Sequence, residues 1–427
     1  MSVFRFVASL VLGVAFFLLP IPFGGRFTVP FDVVVQWIVG GAPALVGLYC
    51  LVLIALGAKA SVVNYRDAPV LSVVRVVAVP LALLYFFRAG PELLLLPAVR
   101  NLMWSTLVFS VGVIVPIGAA LLALFVEYGV LDFIGTLMRP IMRPLFRLPG
   151  RSALDSLTSW VGSYSVGLYL TRKLMEDGFY TRREAYTIAT CFSTVSIGFV
   201  AVVAQTLGLL HLFPLMFLIY FVTVYWMPAL FARVWPLSKT PDDYVADGKP
   251  EPKTSGNLLA AAWSNALARA ESGPPFAVTL RGGFVDGVAL ASTILGSILV
   301  VGTMALLVAQ ETPLFDWLGR PLVPVLSLLG VPDAEVVAPA TLVGIAEMYI
   351  PALLVRDASI QARFFIAVLS ISQLIFFSAV APMMIDMFRK IPIRARELVA
   401  IFLLRTAVLI PVLAGVTRLL DRAGLLK

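Results

Sequence analysis

Glu347 is the residue in this sequence whose type and setting point most directly to chemistry. It lies in the stretch VVAPATLVGIAEMYIPALLV (336–355), which is apolar enough for a membrane helix but is interrupted by Gly344 and Pro351. An acid in hydrocarbon costs about 3 kcal/mol on insertion scales, so such residues mark a ligand, ion or proton site. Glu347 can ligate a cation, carry a proton, or accept hydrogen bonds from the hydroxyl or amine groups of a solute. The bland alternative is a shallow segment whose acid is simply hydrated. Gly344 allows close backbone approach, and Tyr349 adds a hydroxyl beside the acid.

A second interrupted stretch lies upstream. The run Ser159-Trp160-Val161-Gly162-Ser163-Tyr164-Ser165-Val166-Gly167 has two glycines that permit a sharp reversal. Ser163, Tyr164 and Ser165 supply hydroxyls, and a helix N-terminus there would supply free N–H groups. The competing reading is a Gly/Ser packing face between helices. Each interrupted stretch is followed by an apolar run studded with polar side chains. The first carries Ser193, Thr194, Ser196 and Gln205; the second carries Ser370, Ser372, Gln373 and Ser378. Hydroxyls in such runs commonly bond back to their own helix. An amide has four hydrogen-bonding positions to satisfy, so Gln373 is the stronger site candidate. Arg405, inside the last apolar run, is expected to pair internally or to snorkel. Arg281 and Asp286 read as a structural ion pair near the end of their span.

The elements that must hold these residues are membrane helices. The chain has 427 residues, 60% hydrophobic and 13% charged, against about 45–50% apolar in soluble domains. It therefore reads as an all-α polytopic membrane protein. Runs of about 20 apolar residues, enough to cross a bilayer, occupy 3–22, 33–57, 69–88, 102–126, 184–207, 212–235, 284–309, 361–386 and 398–419. The first is read as a retained span, because no small-residue cleavage site follows it. The interrupted segments, 153–176 and 334–357, are expected to enter the membrane twice as short half-helices. Each is preceded by an amphipathic piece with paired prolines, 131–148 with Pro140 and Pro144, and 315–329 with Pro321 and Pro324. Arg139, Arg143 and Arg147 share one helical face and read as a helix lying among lipid headgroups. The segment 237–275 is polar, rich in Pro, Asp, Lys and Gly, and reads as a soluble linker with a short helix over 258–271.

Composition also excludes several kinds of function. Two cysteines, Cys50 and Cys191, lie far apart in apolar runs and support neither a disulfide framework nor a thiolate metal site. A single histidine, His211, excludes a histidine cluster. No phosphate-binding Gly-Lys-Ser/Thr loop is present, so ATP is not the expected energy source. No nucleophile–base pair suggests an enzyme, and no cofactor or metal is expected. The net charge of +8 sits in loops flanking spans, a topology signal rather than a nucleic-acid surface.

The chain also repeats itself. Leu131-Asp132-Phe133-Ile134-Gly135 matches Phe315-Asp316-Trp317-Leu318-Gly319, and Val161-Gly162 matches Val343-Gly344. Arginine and lysine crowd 129–184, whereas 311–363 carries mostly acids, so the first region is expected in the cytoplasm and the second outside. Inverted repeats with broken helices are the arrangement secondary transporters use to build a midplane site. The resulting division is N-terminal helices (1–100), a first repeat (101–236), a linker (237–275) and a second repeat (276–427).

With these paired hairpins, the chain resembles YjiH-type membrane proteins carrying the nucleoside-recognition Gate domain. That domain is shared with concentrative nucleoside transporters and the membrane part of FeoB-type iron transporters. The resemblance runs from about Thr106 to Pro411. It implies an elevator-type fold with two opposed re-entrant hairpins, commonly assembled as an oligomer. In nucleoside transporters the first tip reads Gly-Gln-Thr-Glu, where this chain has Gly162-Ser163-Tyr164-Ser165. The second tip there reads Asn-Glu-Phe, where this chain has Ala346-Glu347-Met348. The resemblance therefore carries over only Gly162 and Glu347. The sequence reading is a secondary transporter of a small polar organic solute, nucleoside-like compounds included, driven by a proton or sodium gradient across a bacterial inner membrane. Its expected site is Glu347, Gly344, Gly162, Ser163, Tyr164, Ser165, Gln373, Ser193 and Thr194. A non-transporting scaffold and a metal-ion permease are the alternatives.

Overall fold

The computed structural model describes the chain apart from residues 1, 19–20, 24–25, 29, 64–68, 162–163, 252–256, 392 and 427. Almost all of it is helical. An N-terminal group comprises α1 (Ser2–Gly13), α2 (Pro30–Gly41), α3 (Pro43–Val63) and α4 (Pro69–Phe87), with one short antiparallel strand pair, Ile21–Phe23 with Arg26–Thr28. Two short helices, α5 (Glu92–Leu95) and α6 (Pro97–Arg100), lead through a π-helical stretch into α7 (Phe109–Glu127). Then come α8 (Val130–Phe146), α9 (Ser152–Val161), α10 (Tyr164–Glu176), α11 (Arg182–Cys191), α12 (Ile197–Thr206) and α13 (Phe213–Phe231). Helix α14 (Leu258–Ser272) opens the second half, followed by α15 (Phe276–Glu311), α16 (Leu314–Gly319) and α17 (Leu322–Leu328). The last elements are α18 (Ala334–Val343), α19 (Ile350–Leu354), α20 (Ile360–Gln373), α21 (Val380–Met387) and α22 (Ala395–Arg422).

Among the described residues, six helices are long and apolar enough to cross a membrane: Pro43–Val63, Pro69–Phe87, Asn101–Glu127, Leu210–Phe231, Phe276–Glu311 and Ala395–Arg422. Several expected spans are not single helices. The run 33–57 divides at Ala42 between α2 and α3, and 3–22 leaves α-helical geometry after Gly13. The runs 184–207 and 361–386 each break into two half-helices. The amphipathic piece 315–329 is likewise two short helices, α16 and α17, whereas 131–148 forms α8 as expected.

Helix α15 has 36 residues, roughly 54 Å at 1.5 Å per residue. It is the longest member of a four-helix group with α3, α4 and α7. Small residues line the α7–α15 contact, with Pro116 and Ala119 facing Gly283 and Gly287, which lets the backbones approach as in other membrane bundles. The other group contains only short pieces beside α13 and α22. Helices α9, α11, α12 and α18 have 10 residues each, about 15 Å long and half the hydrocarbon thickness. The order of pieces is the same on both sides of α15. A helix pair (α9/α10, α18/α19) is followed by a broken helix (α11/α12, α20/α21) and then a long helix (α13, α22).

The part of the linker up to Glu251 is docked rather than loose. Lys249 N donates to Gly178 O at 2.7 Å, Thr181 bridges to Tyr244, and Arg183 pairs with Asp242 at 3.2 Å. Glu251 accepts hydrogen bonds from the N–H groups of Gly150 and Arg151 (3.0 and 3.2 Å) and lies within 4.0 Å of Arg139, Arg143 and Arg151. Two arginines expected to face headgroups thus hold this linker carboxylate. Asp286 pairs with Lys173 on α10 at 3.5 Å, not with Arg281.

Candidate functional site

The α20/α21 break meets the tip of the second helix pair. At Leu374 the backbone enters the left-handed region, with φ 62°, and α20 ends. The N–H groups of Phe377 and Ser378, which helix would have used, donate to the carbonyls of Ile345 and Ala346 at 2.7 and 2.8 Å. A buried backbone must find partners for its polar groups, and here the tip 344–349 and the break 374–379 satisfy each other. At the other break, Val195 N donates to the Tyr220 hydroxyl at 3.2 Å, and the Ser196 hydroxyl caps α12 by accepting from Phe199 N.

Glu347 is buried among protein groups, with 3% of its surface exposed. Its Oε2 accepts from the N–H groups of Tyr349 and Ile350, the latter at 3.1 Å. The acid therefore sits at the N-terminus of α19, where free N–H groups and the helix dipole favour a negative charge. The first tip is close by. The Tyr164 hydroxyl lies within electrostatic range of Glu347, its ring meets Phe376 edge-on at 5.7 Å, and Ser165 Oγ points at Met383 Sδ at 3.9 Å. The Tyr349 hydroxyl pairs with Thr206 at 2.8 Å, joining the second tip to α12. Gly162 and Ser163 lie outside the described residues.

Gln373 holds the cluster from behind. Its Nε2 donates to Thr341 O and Thr406 Oγ1, both at 2.9 Å. A Cβ on Gly344 would lie 2.3 Å from Gln373 Oε1, so a larger residue there must displace the Gln373 amide. Ser193 and Thr194 are buried in the α11/α12 break, Thr194 beside Tyr220. Thr194, Ser372, Ser378 and Gln373 carry buried side-chain oxygens with no hydrogen-bond partner among the described residues. Unpaired buried polar atoms cost about 1–3 kcal/mol each and cluster here around both breaks.

The partners of two further buried residues are visible only in the structure. Arg405 is fully buried and does not snorkel. Its Nε donates to Ser372 O at 2.6 Å and its Nη1 to Thr190 O at 3.3 Å. Those carbonyls belong to the last turns of α20 and α11. The guanidinium thus bridges two half-helix C-termini, each worth about −0.5 charge. Their sum, about −1, offsets a cation that forms no ion pair among the described residues. A mid-span arginine was visible in the sequence; its dipole partners were not. Asp155, on α9, is the second. It is buried and accepts from Thr171 Oγ1 and Tyr180 OH at 2.6 and 2.5 Å, stapling α9 to α10. Its i,i+4 neighbour Ser159 lies against Gly167, whose Cβ would come within 2.0 Å of Ser159 Oγ.

Between the four-helix group and the broken helices lies a polar cavity of about 570 Å³, lined by Arg75, Arg172, Lys173, Asp286, Asp386 and Arg389 among others. In its wall a buried ion pair joins Arg75 of α4 to Asp386 of α21, with Ser61 and Ser297 as further partners.

Over residues 108–210, which run from α7 past α12, the chain matches the Gate family described as nucleoside recognition. It is 32% identical to the uncharacterized protein BpOF4_10220 of Alkalihalophilus pseudofirmus, over 96% of this chain and 93% of that one. The chain belongs to that protein's family. A shorter similarity, 29% over 85 residues, links 18% of this chain to 21% of the sporulation integral membrane protein YlbJ of Bacillus subtilis. No solved structure matches. The apolar helices and the membrane-protein relative together make this a multi-pass membrane protein.

Proposed function

We propose that this protein is a secondary transporter, not an enzyme, of the YjiH type, that carries a small polar organic solute across the bacterial cytoplasmic membrane. The observation that supports this most is the meeting of Glu347, at the tip between α18 and α19, with Tyr164 and with two broken helices. A buried acid, exposed backbone termini and unpaired hydroxyls in one place form a polar site enclosed by apolar helices. On this reading α9/α10 and α18/α19 are re-entrant hairpins of two inverted repeats. The arginine-rich side of the first and the acidic flanks of the second support opposite orientations. Glu347 binds the solute or the coupling cation, proton or sodium, while Tyr164, Ser165, Ser193, Thr194 and Gln373 line the solute's path. The four-helix group is the frame against which the broken-helix group moves, and the chain works as a homo-oligomer.

The solute is polar and small, with nucleosides among the candidates because the Gate match carries that description. The Gln and Glu side chains that nucleoside transporters present at the first tip are replaced here by Ser163 and Ser165. Thermal stabilisation of the purified protein by a panel of nucleosides, sugars, amino acids and organic acids tests the reading, because a bound solute stabilises by RT ln(1 + [L]/Kd). A transporter shows saturable stabilisation by at least one member. A scaffold shows none.

A further inference from the structure

We propose that Arg405 is a tethered cation, occupying the junction of half-helix C-termini where a transporter of this architecture would otherwise seat a coupling sodium ion. The consequence is that, of the two coupling cations named for Glu347, the proton is the one used, and this chain moves its solute without sodium. The proposal rests on the transport reading for its second half only; the first half concerns the fold.

Broken helices leave carbonyl groups at the C-terminal ends of their halves, and transporters built this way use those carbonyls and dipoles to bind a small cation. In this chain α11 ends at Cys191 and α20 ends at Gln373, and the two ends lie on either side of one side chain from α22. The guanidinium spends Nε on Ser372 O and Nη1 on Thr190 O. The Cys191 thiol and the Tyr220 hydroxyl are the other groups that face it. These ligands are carbonyls, a hydroxyl and a thiol, an oxygen-rich set of the kind that suits a hard monovalent cation. None of the ion pairs among the described residues includes Arg405, so its charge is balanced by the helix ends rather than by an acid. Covalent attachment of the cation makes the junction permanently occupied. A sodium ion at the same place would have to displace a fixed positive charge.

Residues next to Arg405 reinforce the assignment. Thr406 holds Gln373, which in turn caps Thr341 O near the C-terminal end of α18. Adjacent positions on α22 thus secure the ends of three half-helices, and the one that carries charge serves the two broken helices.

The test compares melting of the detergent-purified protein in sodium chloride and in choline chloride of equal ionic strength, for the wild type, Arg405→Lys and Arg405→Ala. The wild type and Arg405→Lys should melt at the same temperature in both salts. Arg405→Ala should melt lower in choline, and low-millimolar guanidinium or sodium should restore a substantial part of the loss. A saturable, sodium-specific stabilisation of the wild type overturns the proposal. So does a folded Arg405→Ala protein whose deficit neither cation relieves, the result a purely packing role gives. If Arg405→Ala does not fold, the wild-type and lysine arms still decide. Proteoliposome uptake driven by an imposed sodium gradient overturns the coupling half. Absence of any uptake counts against transport itself and leaves the melting arms to judge the junction.

Discussion

Replacing Gly344 by alanine probes the packing of the candidate site without touching its charge. Gly344 has φ −54° and ψ −23°, ordinary helical values that alanine adopts freely, so the substitution carries no backbone strain. Its cost comes from one contact, the new Cβ at 2.3 Å from Gln373 Oε1. The amide must rotate away, and in doing so it gives up Thr341 O and Thr406 Oγ1. Two hydrogen bonds at about 1 kcal/mol each, with a buried carbonyl left unsatisfied, predict a loss of about 2–3 kcal/mol. For a chain of 427 residues, with an unfolding entropy of about 0.9 kcal/mol/K, that lowers the melting temperature by roughly 2–4 °C. The assay is a double-mutant cycle on apparent melting temperatures of the purified protein. In a Gln373→Ala background the same Gly344→Ala change should be nearly silent, because the clash and both hydrogen bonds are already gone. Equal losses in the two backgrounds would refute the contact as the cause, and no loss in either would refute the packing described here.

Other consequences follow from the same geometry. Asp155→Ala should destabilise by about 2–4 kcal/mol, since it removes two buried hydrogen bonds and leaves the Tyr180 hydroxyl without its acceptor; melting of the purified variant measures it. Glu251→Ala should lower the melting temperature, because the N–H groups of Gly150 and Arg151 and the buried Arg151 guanidinium lose their acceptor, and should also speed proteolytic cutting within 237–275, followed by gel. Asp333 accepts from Ser359 N at 2.8 Å, and hydrogen bonding to Ser359 holds its carboxyl below the usual range. Its contribution is therefore present above the ordinary carboxylate pKa of about 3.9 and fades as pH falls through the lower folded value. Asp333→Asn should thus narrow the stability difference between neutral and strongly acidic buffer and leave the neutral-pH pH dependence alone.

The sequence displayed some of this architecture plainly. Paired prolines and the 3.6-residue pattern located α8, and Gly344 with Glu347 and Pro351 located the second tip. Hydropathy failed where α11/α12 and α20/α21 break. The residues at those breaks, FSTVS at 192–196 and LIFFSA at 374–379, contain neither Gly nor Pro. What ends α20 is a leucine in left-handed geometry and backbone pairing with Ile345 and Ala346, contacts 32 positions away that no local pattern records. The linker misled for a similar reason. Its acids look solvated in sequence, but Asp242 and Glu251 meet arginines supplied by distant segments. Glu347 was identified correctly as a buried acid, yet its role at the α19 N-terminus follows from the turn around it. Arg405 and Asp155 became legible only once their partners were in place.

The central claim is that Glu347 belongs to a solute or coupling-ion site, and gradient-driven uptake tests it most directly. Wild-type and Glu347→Gln proteins are reconstituted in liposomes, supplied with the solute that stabilises the wild type, and given an imposed proton gradient. Glutamine keeps an oxygen to accept from Tyr349 and Ile350, so the variant should fold and melt near the wild type. The account predicts saturable, gradient-stimulated uptake by the wild type and loss of uptake, or of its pH dependence, in the variant. Equal uptake with the same pH profile in both proteins would contradict it.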